Sequence, residues 1–319
     1  MSKDGSQKTA LILLVDSQIA QVSKKTVEEM GHQCIIVKDQ QEADNFLQNK
    51  KVDLLICKIQ EKAEDFHLFD VAQKVQPSCH CIAVIDESLE DYFHELAVCA
   101  YPHNLIADNS PFDLAEMTST IRKLLTEDIF GIEKYGVPVH ENLLVTQSDQ
   151  KYAYIEKVRD FFLAQGIQER IVRNVELILN ELMMNAIFDA PINEKGEHPY
   201  LQFDRSAVFP LKPQEQPAVQ YGISPERLAV SVSDPFGTFK EDTFFSYVHR
   251  CFAEKSILEG VGKGAGMGLF MVFKSLNQLV INVSYHKKTE VMALIDYHAS
   301  MRELKKRRHS FHYFHLGKF

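Results

Sequence analysis

The sequence lacks any run of apolar residues that approaches the ~20 needed to cross a bilayer. Its first residues, MSKDGSQK, are polar and lack the apolar centre of a signal peptide. The six cysteines include no Cys-x-x-Cys pair, and in 319 residues they do not form the framework of a disulfide-rich secreted domain. These absences predict a soluble, cytoplasmic protein that does not associate with membranes.

The formal net charge is −9, which argues against nucleic-acid binding through bulk charge. Hydrophobic residues make up 45% of the chain and charged residues 25%, a globular composition that excludes a disordered or fibrous chain. The length suggests two domains. Residues 299–319 form a basic, aromatic tail of net charge +5, so residues 1–298 carry −14. We expect this tail to dock onto its own domain or onto a partner rather than onto nucleic acid.

In residues 1–128, short apolar runs alternate five times with segments of helical period. This order predicts a parallel sheet covered on both faces, in a flavodoxin-like doubly wound α/β domain. The predicted strands are 10–15, 34–37, 52–57, 81–85 and 104–107. The predicted helices are 18–30, 40–49, 66–75, 89–98 and 112–125.

Residues 129–150 change character, because two glycines and a proline interrupt any sustained period. We predict a linker there, with a strand possible at 142–146. Residues 151–298 then place helices first and strands later, which indicates an α+β sandwich with helices on one side of its sheet. The predicted helices are 151–165, 168–188 and 266–277, and the predicted strands are 228–234, 279–285 and 290–297. A stretch rich in proline, from Pro210 to Pro225, is predicted as a surface loop and hairpin.

The helix at 168–188 contains two Glu-xxx-Asn spacings. Glu176 and Asn180 fall opposite its apolar stripe, so we expect them to be solvated. Glu181 and Asn185 fall at the edge of the stripe, where a polar pair can point into a cleft. Spacing alone also fits an ordinary surface pair one turn apart.

Two later segments favour a nucleotide site. SVSDPFG ends a strong strand with Asp234, whose carboxylate can accept a hydrogen bond from an exocyclic amine such as that of adenine. GVGKGAGMGLFMV, at 260–272, is a glycine run that opens into a helix, whose free amide groups suit phosphate. Alone, the run also fits a linker or a tight turn. It is not a Walker P-loop, because no Gly-Lys-Ser/Thr opens the helix.

The order of these three segments resembles the GHKL ATPases, a group that includes gyrase B, heat-shock ATPases, histidine kinases and MutL. The stretch from SDQKYAYIEK to ELMMNAIFDA is most similar to the anti-sigma-factor serine kinases. The resemblance implies ATP and Mg²⁺ as cofactors. It implies that Asn185 coordinates the metal and that Glu181 is the catalytic base. In the first glycine segment, Asp234 would bind adenine and Gly237 would shape the turn, although Phe236 stands where the family has glycine.

The resemblance assigns the second glycine segment to the phosphates, and it makes residues 238–263 a lid over ATP. The residues that would form the phosphate-side loop are Gly264, Gly266, Gly268 and Leu269. Lys263 either reaches the γ-phosphate or is a solvated lid lysine.

Residues 8–128 resemble the receiver domain of response regulators. The resemblance implies an acceptor aspartate at the end of the third strand, where this chain has Lys58. Asp16 remains from the usual acidic pair, Asp86 stands near the expected Ser/Thr, and the lysine expected near Pro111 is missing. A lysine cannot form an acyl phosphate, and its charge opposes Mg²⁺. We therefore predict a pseudo-receiver, not phosphorylated on Lys58, in which Lys58 pairs with Asp16.

These resemblances together predict a cytoplasmic signalling protein. It would bind Mg-ATP and either phosphorylate a protein partner on serine or threonine or bind that partner in a nucleotide-gated way, and a homodimer is left open. A non-catalytic interaction scaffold that keeps both folds is the alternative. An atypical histidine kinase that uses His140 is a third hypothesis, although that histidine lies on a linker with proline and glycine.

Overall fold

The structure, a computed structural model, describes residues 6–14, 16–59, 62–92, 103–240, 273, 276–298 and 307–317. The chain forms two compact units. The first contains residues up to Ile129 together with Arg308–Phe314, and the second contains Phe130–Arg307 and His315–Phe319. None of the helices in these described ranges is long and apolar enough to cross a membrane.

The first unit alternates strands and helices as the sequence predicts. Its strands are β1 (Thr9–Leu13), β2 (Gln33–Ile36), β3 (Leu54–Lys58), β4 (His80–Ile85) and β5 (Asn104–Ala107). Its helices are α1 (Ser17–Glu29), α2 (Gln40–Asn49), α3 (Lys62–Val75) and α4 (Leu114–Thr126), and a 3₁₀ turn covers Leu89–Tyr92. The rest of the predicted helix at 89–98 lies outside the described residues.

The five strands are parallel and lie in the order β2-β1-β3-β4-β5. This is the flavodoxin-like order, so the predicted doubly wound fold is confirmed for the first unit. The central strands are buried on both faces because α1 packs against α4 and α2 against α3. Aspartates start three of the helices: the carboxylates of Asp16, Asp39 and Asp113 accept backbone N–H groups of the first turn.

The basic tail contributes a strand that the sequence did not predict. β11 (Ser310–Leu316) pairs antiparallel with β5, with Phe311 opposite Leu105 and His312 opposite Asn104. Residues 310–314 are buried in the first unit. The residues of this strand do not alternate between apolar and polar as those of a half-buried strand would. Both faces of the strand are covered, so the pattern that predicts a strand is missing.

The second unit has an antiparallel sheet in the order β9-β10-β8-β7-β6. Its strands are β6 (Glu141–Leu144), β7 (Ala218–Ile223), β8 (Leu228–Asp234), β9 (Gln278–Ser284) and β10 (Lys288–Ile295). Its helices are α5 (Gln150–Ala164) and α6 (Glu169–Met184), followed by a π-helical turn at Asn185–Asp189. Short 3₁₀ turns cover Ile132–Tyr135 and Pro213–Glu215.

Residues 130–150 are part of the second unit rather than a free linker. β6 pairs with β7, Ile132 and Val137 are buried, and the amide of Gly131 donates to the buried Glu290 carboxylate over 3.0 Å. The sequence indicated a linker because these elements are too short to show a period. The proline-rich stretch, predicted as a surface loop and hairpin, contains β7, which forms a hairpin with β8.

Candidate functional site

Glu181 on α6 and Asn185 just after it lie at the edge of the buried apolar stripe of this helix. Its apolar side chains are buried as the periodicity predicts, and both polar residues are half-buried. Glu176 and Asn180, which were expected to be solvated, are half-buried as well. Glu176 lines an open groove between α5 and α6. Asn180 hydrogen-bonds the neighbouring Glu181 side chain.

Asn185 is the first residue of the π-helical turn that follows α6. The Ala190 amide donates to the Asn185 carbonyl over 2.8 Å, a bond that spans five residues instead of four. Such π turns are rare in proteins, and those that do occur are frequently found at functional sites. Within the described part of the chain, the Asn185 side chain makes no hydrogen bond. Its amide oxygen is therefore available to a ligand.

Glu181 lies in an environment that favours its protonated form. Burial raises the pKa of the Glu181 carboxyl and Asp189 adds to this, while the Asn180 side chain and the charge of Arg205 oppose it. A carboxyl group whose pKa is raised towards neutrality is suited to accept a proton during catalysis.

Asp234 ends β8 and is buried, with a relative exposure of 8%. Burial raises the pKa of its carboxyl to about 6, although the amides of Phe236 and Gly237 donate to it. The Phe236 bond measures 2.9 Å from N to Oδ1. The carboxylate forms no ion pair with any residue in the described ranges. The Thr289 side chain and the charge of Lys288 also act to lower its pKa, but burial outweighs them.

Gly237 follows in a left-handed conformation, with φ at +64°. A β-carbon at this position would lie 2.1 Å from the Ser284 carbonyl oxygen. The turn after Asp234 therefore requires glycine, because β9 approaches too closely for any side chain.

The structure brings the two halves of this candidate site onto one strand. Both α6 and the π-helical turn contact β8, the strand that Asp234 ends. Five of the predicted ATP-site residues lie outside the described residues: Lys263, Gly264, Gly266, Gly268 and Leu269. The same holds for most of the predicted lid, of which 238–240 are described.

The sequence analysis missed a cluster next to Glu181. The guanidinium of Arg205 pairs with Asp189 over 2.7 Å and lies 5.1 Å from the Phe188 ring centre. The ammonium of the buried Lys151 donates to the Arg205 carbonyl over 2.5 Å. Burial, together with the charge of Arg205, lowers the pKa of Lys151. No motif marks these residues, which come from α5, the π turn and a loop.

In the first unit, Lys58 pairs with Asp108 instead of Asp16. Lys58 ends β3, Asp108 follows β5, and the Lys58 Nζ to Asp108 Oδ2 distance is 2.5 Å. The prediction of a Lys58–Asp16 pair is therefore wrong. Asp16 caps α1 through the amides of Gln18 and Ile19, which holds its carboxylate at the helix start.

Asp86 and His140 also have described neighbours. The Asp86 carboxylate accepts the Tyr92 hydroxyl over 3.1 Å. His140 is exposed in front of β6, where its ring stacks on Phe161 with centres 4.0 Å apart.

Comparisons with known proteins found solved structures that are similar to the N-terminal part of the chain. About 38% of the chain is similar to a response regulator from Thermotoga maritima, with 21% identity, a TM-score of 0.33 and 98% of that chain covered. A CheY-like receiver domain protein from Methanospirillum hungatei JF-1 has 25% identity, a TM-score of 0.33 and 96% coverage over the same share. A signal receiver domain from Pseudomonas fluorescens Pf-5 has 16% identity, a TM-score of 0.34 and 97% coverage. No family model and no curated protein matches.

Proposed function

We propose that the second unit binds Mg-ATP and uses it to phosphorylate a protein partner on serine or threonine, or to gate binding of that partner. The observation that carries the proposal is the buried Asp234 carboxylate at the end of β8. This strand contacts α6, which holds Glu181, and the π-helical turn, which begins with Asn185. A buried carboxylate whose pKa is raised by burial is costly to keep unless a ligand completes its contacts.

The described residues fit a purine triphosphate in three respects. Asp234 offers an acceptor for the adenine amine, and Gly237 shapes the tight turn that follows it against β9. The Asn185 amide oxygen is a hard ligand that suits Mg²⁺, which would bridge the phosphates and neutralise their charge. Glu181 would orient the partner's hydroxyl and hold its proton.

The first unit would act as a regulatory domain that is not phosphorylated. The Lys58–Asp108 pair occupies the carboxyl ends of β3 and β5, where a positive charge opposes a metal ion. Such a pair fixes both side chains without needing a ligand. The first unit would then respond to the binding of a partner rather than to its own phosphorylation.

A non-catalytic scaffold is the second candidate function, favoured by two residues. Phe236 replaces the glycine of the family's first glycine segment, and it is half-buried against the Asp234 turn. Lys58 has already removed the chemistry of the first unit. A scaffold would keep both folds and bind partners whether or not nucleotide is present.

The test is isothermal titration of the full chain with ATP in the presence and absence of Mg²⁺. We expect Mg-dependent binding, which Asn185→Ala abolishes and Asn174→Ala, the same change on α6, leaves intact. No heat at millimolar ATP for the wild-type chain would refute the ATP site. Binding without transfer of phosphate to a captured partner would favour the nucleotide-gated or scaffold form.

A further inference from the structure

Two basic side chains flank the π-helical turn that begins at Asn185. Lys151 comes from α5, and its ammonium lies 3.0 Å from the Met184 sulfur and 5.0 Å from the Phe188 ring centre. Arg205 comes from the loop after the turn, and its guanidinium carbon lies 5.1 Å from the same ring centre. Phe188 is fully buried, and both cations pack against its ring. The turn that starts with the proposed Mg²⁺ ligand therefore has two positive charges beside it.

The guanidinium of Arg205 is only partly used by the described residues. Its Nη2 donates to the Asp189 carboxylate over 2.7 Å. Its Nη1 is buried and has no hydrogen-bond partner in the part of the chain that the structure describes. A buried cationic donor without an acceptor is costly, because it has lost its water and found no replacement. One half of the Arg205 fork therefore lacks an acceptor, and an anion would supply one.

Arg205 can reach an incoming ligand, whereas Lys151 cannot. The Arg205 side chain is 42% exposed, but Lys151 is 2% exposed. Turning the guanidinium outwards breaks its bond to Asp189 and no other side-chain hydrogen bond among the described residues, since Nη1 has none to lose. The Lys151 ammonium donates to the Arg205 carbonyl over 2.5 Å. Lys151 therefore positions the backbone of Arg205, and Arg205 is the residue that can contact a ligand.

Asp189 continues the line of the two proposed site residues along the helix. Glu181, Asn185 and Asp189 are spaced by four residues, so they lie on one side of α6 and the turn after it. The charges of Arg205 and Asp189 both act on the Glu181 carboxyl, with opposite effects on its pKa. Arg205 is therefore beside the proposed base and metal ligand rather than on another face of the unit.

The charges of this cluster favour a phosphate group as its ligand. A guanidinium presents parallel N–H donors that match two oxygens of a phosphate, and such charged pairs are stronger than contacts with a neutral acceptor. Lys151 adds a second positive charge. Asp204 opposes the lowering of the Lys151 pKa but forms no ion pair with it in the described ranges. Asp189 is thus the carboxylate that a phosphate would have to displace from Arg205.

On the basis of the proposed function, we propose that Arg205 contacts the terminal phosphate of the bound nucleotide and makes the site selective for a triphosphate over a diphosphate. Nη1 donates to an oxygen of that phosphate. Asp189 competes with the phosphate for the guanidinium, so the Asp189–Arg205 ion pair belongs to the chain without nucleotide. A diphosphate lacks the group that Arg205 contacts and leaves this ion pair in place.

Isothermal titration of the full chain with Mg-ATP and with Mg-ADP is the first test. Arg205→Gln should weaken ATP binding about 10-fold and leave ADP binding within about 3-fold. Arg173→Gln is the matched control and should change neither affinity, because Arg173 forms an exposed ion pair of 2.7 Å with Glu169 on α6. An equal loss for both nucleotides, or no loss, would refute the role of Arg205 and leave the ATP site standing. A wild-type chain that binds neither nucleotide would refute both.

Asp189→Asn distinguishes a phosphate contact from an ion pair that only holds the loop. The change removes the competitor for the guanidinium, so ATP binding should strengthen about 3-fold, opposite to the effect of Arg205→Gln. A purely structural pair would make both variants weaken both nucleotides. Arg205→Lys keeps the charge but not the fork, so ATP binding should stay about 3-fold below that of the wild-type chain.

The sign of the Asp189→Asn effect decides the matter even if Arg205→Gln loses its fold by circular dichroism. An ATP affinity that is unchanged or lower in Asp189→Asn would overturn the proposal. Glu169→Gln is the control for this variant, since it breaks the exposed Glu169–Arg173 pair in the same way and should leave both affinities unchanged.

Discussion

The two units place ionisable residues at the carboxyl ends of their strands under opposite conditions. In the first unit, Lys58 and Asp108 neutralise each other across the ends of β3 and β5. In the second unit, Asp234 is buried at the end of β8 with a pKa raised to about 6 and no ion pair in the described ranges. The Lys58–Asp108 pair needs no ligand, whereas the burial of the Asp234 carboxylate costs free energy that a bound ligand would reduce.

Under the proposed function, this difference separates a strand edge without phosphoryl chemistry from one that binds a ligand. A neutralised pair lowers its own free energy and needs nothing more. A buried, unneutralised carboxylate destabilises the folded chain, and proteins keep such groups mainly where they function. The comparison therefore directs experiments to the second unit for activity and to the first unit for regulation.

The largest expected effect comes from Asp234→Asn. The amide cannot accept the adenine amine with a full charge, so ATP affinity should fall about 100-fold. The same change should stabilise the fold. Folded Asp234 keeps its proton up to about pH 6, whereas an unfolded aspartate loses it near pH ~4. Folding is therefore penalised progressively as the pH rises between these values, and fully above them.

Thermal or urea unfolding of the same variant measures that penalty. Asp234→Asn should gain roughly 2 kcal/mol at pH 7 and nothing at about pH 2, where the wild-type carboxyl is protonated in both states. Asp160→Asn, at an exposed position of α5, is the control and should change neither property. A variant that loses stability at pH 7 would show that Asp234 has a structural role instead.

Glu181→Gln should separate binding from turnover. The change keeps the shape of the side chain, so ATP affinity should stay within about 3-fold, while turnover falls about 100-fold. Wild-type turnover should rise with pH through the raised pKa of Glu181, because the base must be deprotonated, and the variant should lack this rise.

Glu176→Gln, on the same helix and facing the α5–α6 groove, is the matched control for that experiment. It should leave both affinity and turnover unchanged. Equal losses of turnover in the two variants would mean that α6 tolerates no substitution, and the assignment of Glu181 as base would fail.

The sequence predicts most of the first unit because its elements are long enough to show a period. β5 is found at the predicted residues 104–107, and α2 at the predicted 40–49. Partners across the sheet are harder to predict. The sequence predicted a Lys58–Asp16 pair because both residues stand at the ends of neighbouring strands. In the structure the Asp16 carboxylate caps α1, and Lys58 pairs with Asp108.

In the second unit, the sequence located Asp234, Gly237, Glu181 and Asn185 but not the residues that set their environment. The π turn at Asn185 arises from packing, and no sequence pattern marks it. β11 was hidden for a similar reason. Its strand formation depends on pairing with β5, about 200 residues earlier in the chain, and on the contact of His312 with Glu116.

The smallest expected effect concerns the Lys58–Asp108 pair. A double-mutant cycle with Lys58→Met and Asp108→Asn should give a coupling energy of about 1 kcal/mol in unfolding experiments. The side chains are 19% and 22% exposed, so solvent screens them less than the Lys24–Glu28 pair on α1, at 46% and 51%. That surface pair is the control and should give about 0.3 kcal/mol.

The same variants sharpen the contrast between the units. Because Lys58 cannot form an acyl phosphate, treatment of the wild-type chain with a small phosphate donor should label no aspartate of the first unit. Lys58→Met should remain unlabelled, since removing the positive charge does not create an acceptor at that position. Labelling of Asp108 or Asp16 in either chain would show that the first unit retains phosphoryl chemistry, and the two strand edges would then no longer differ in kind.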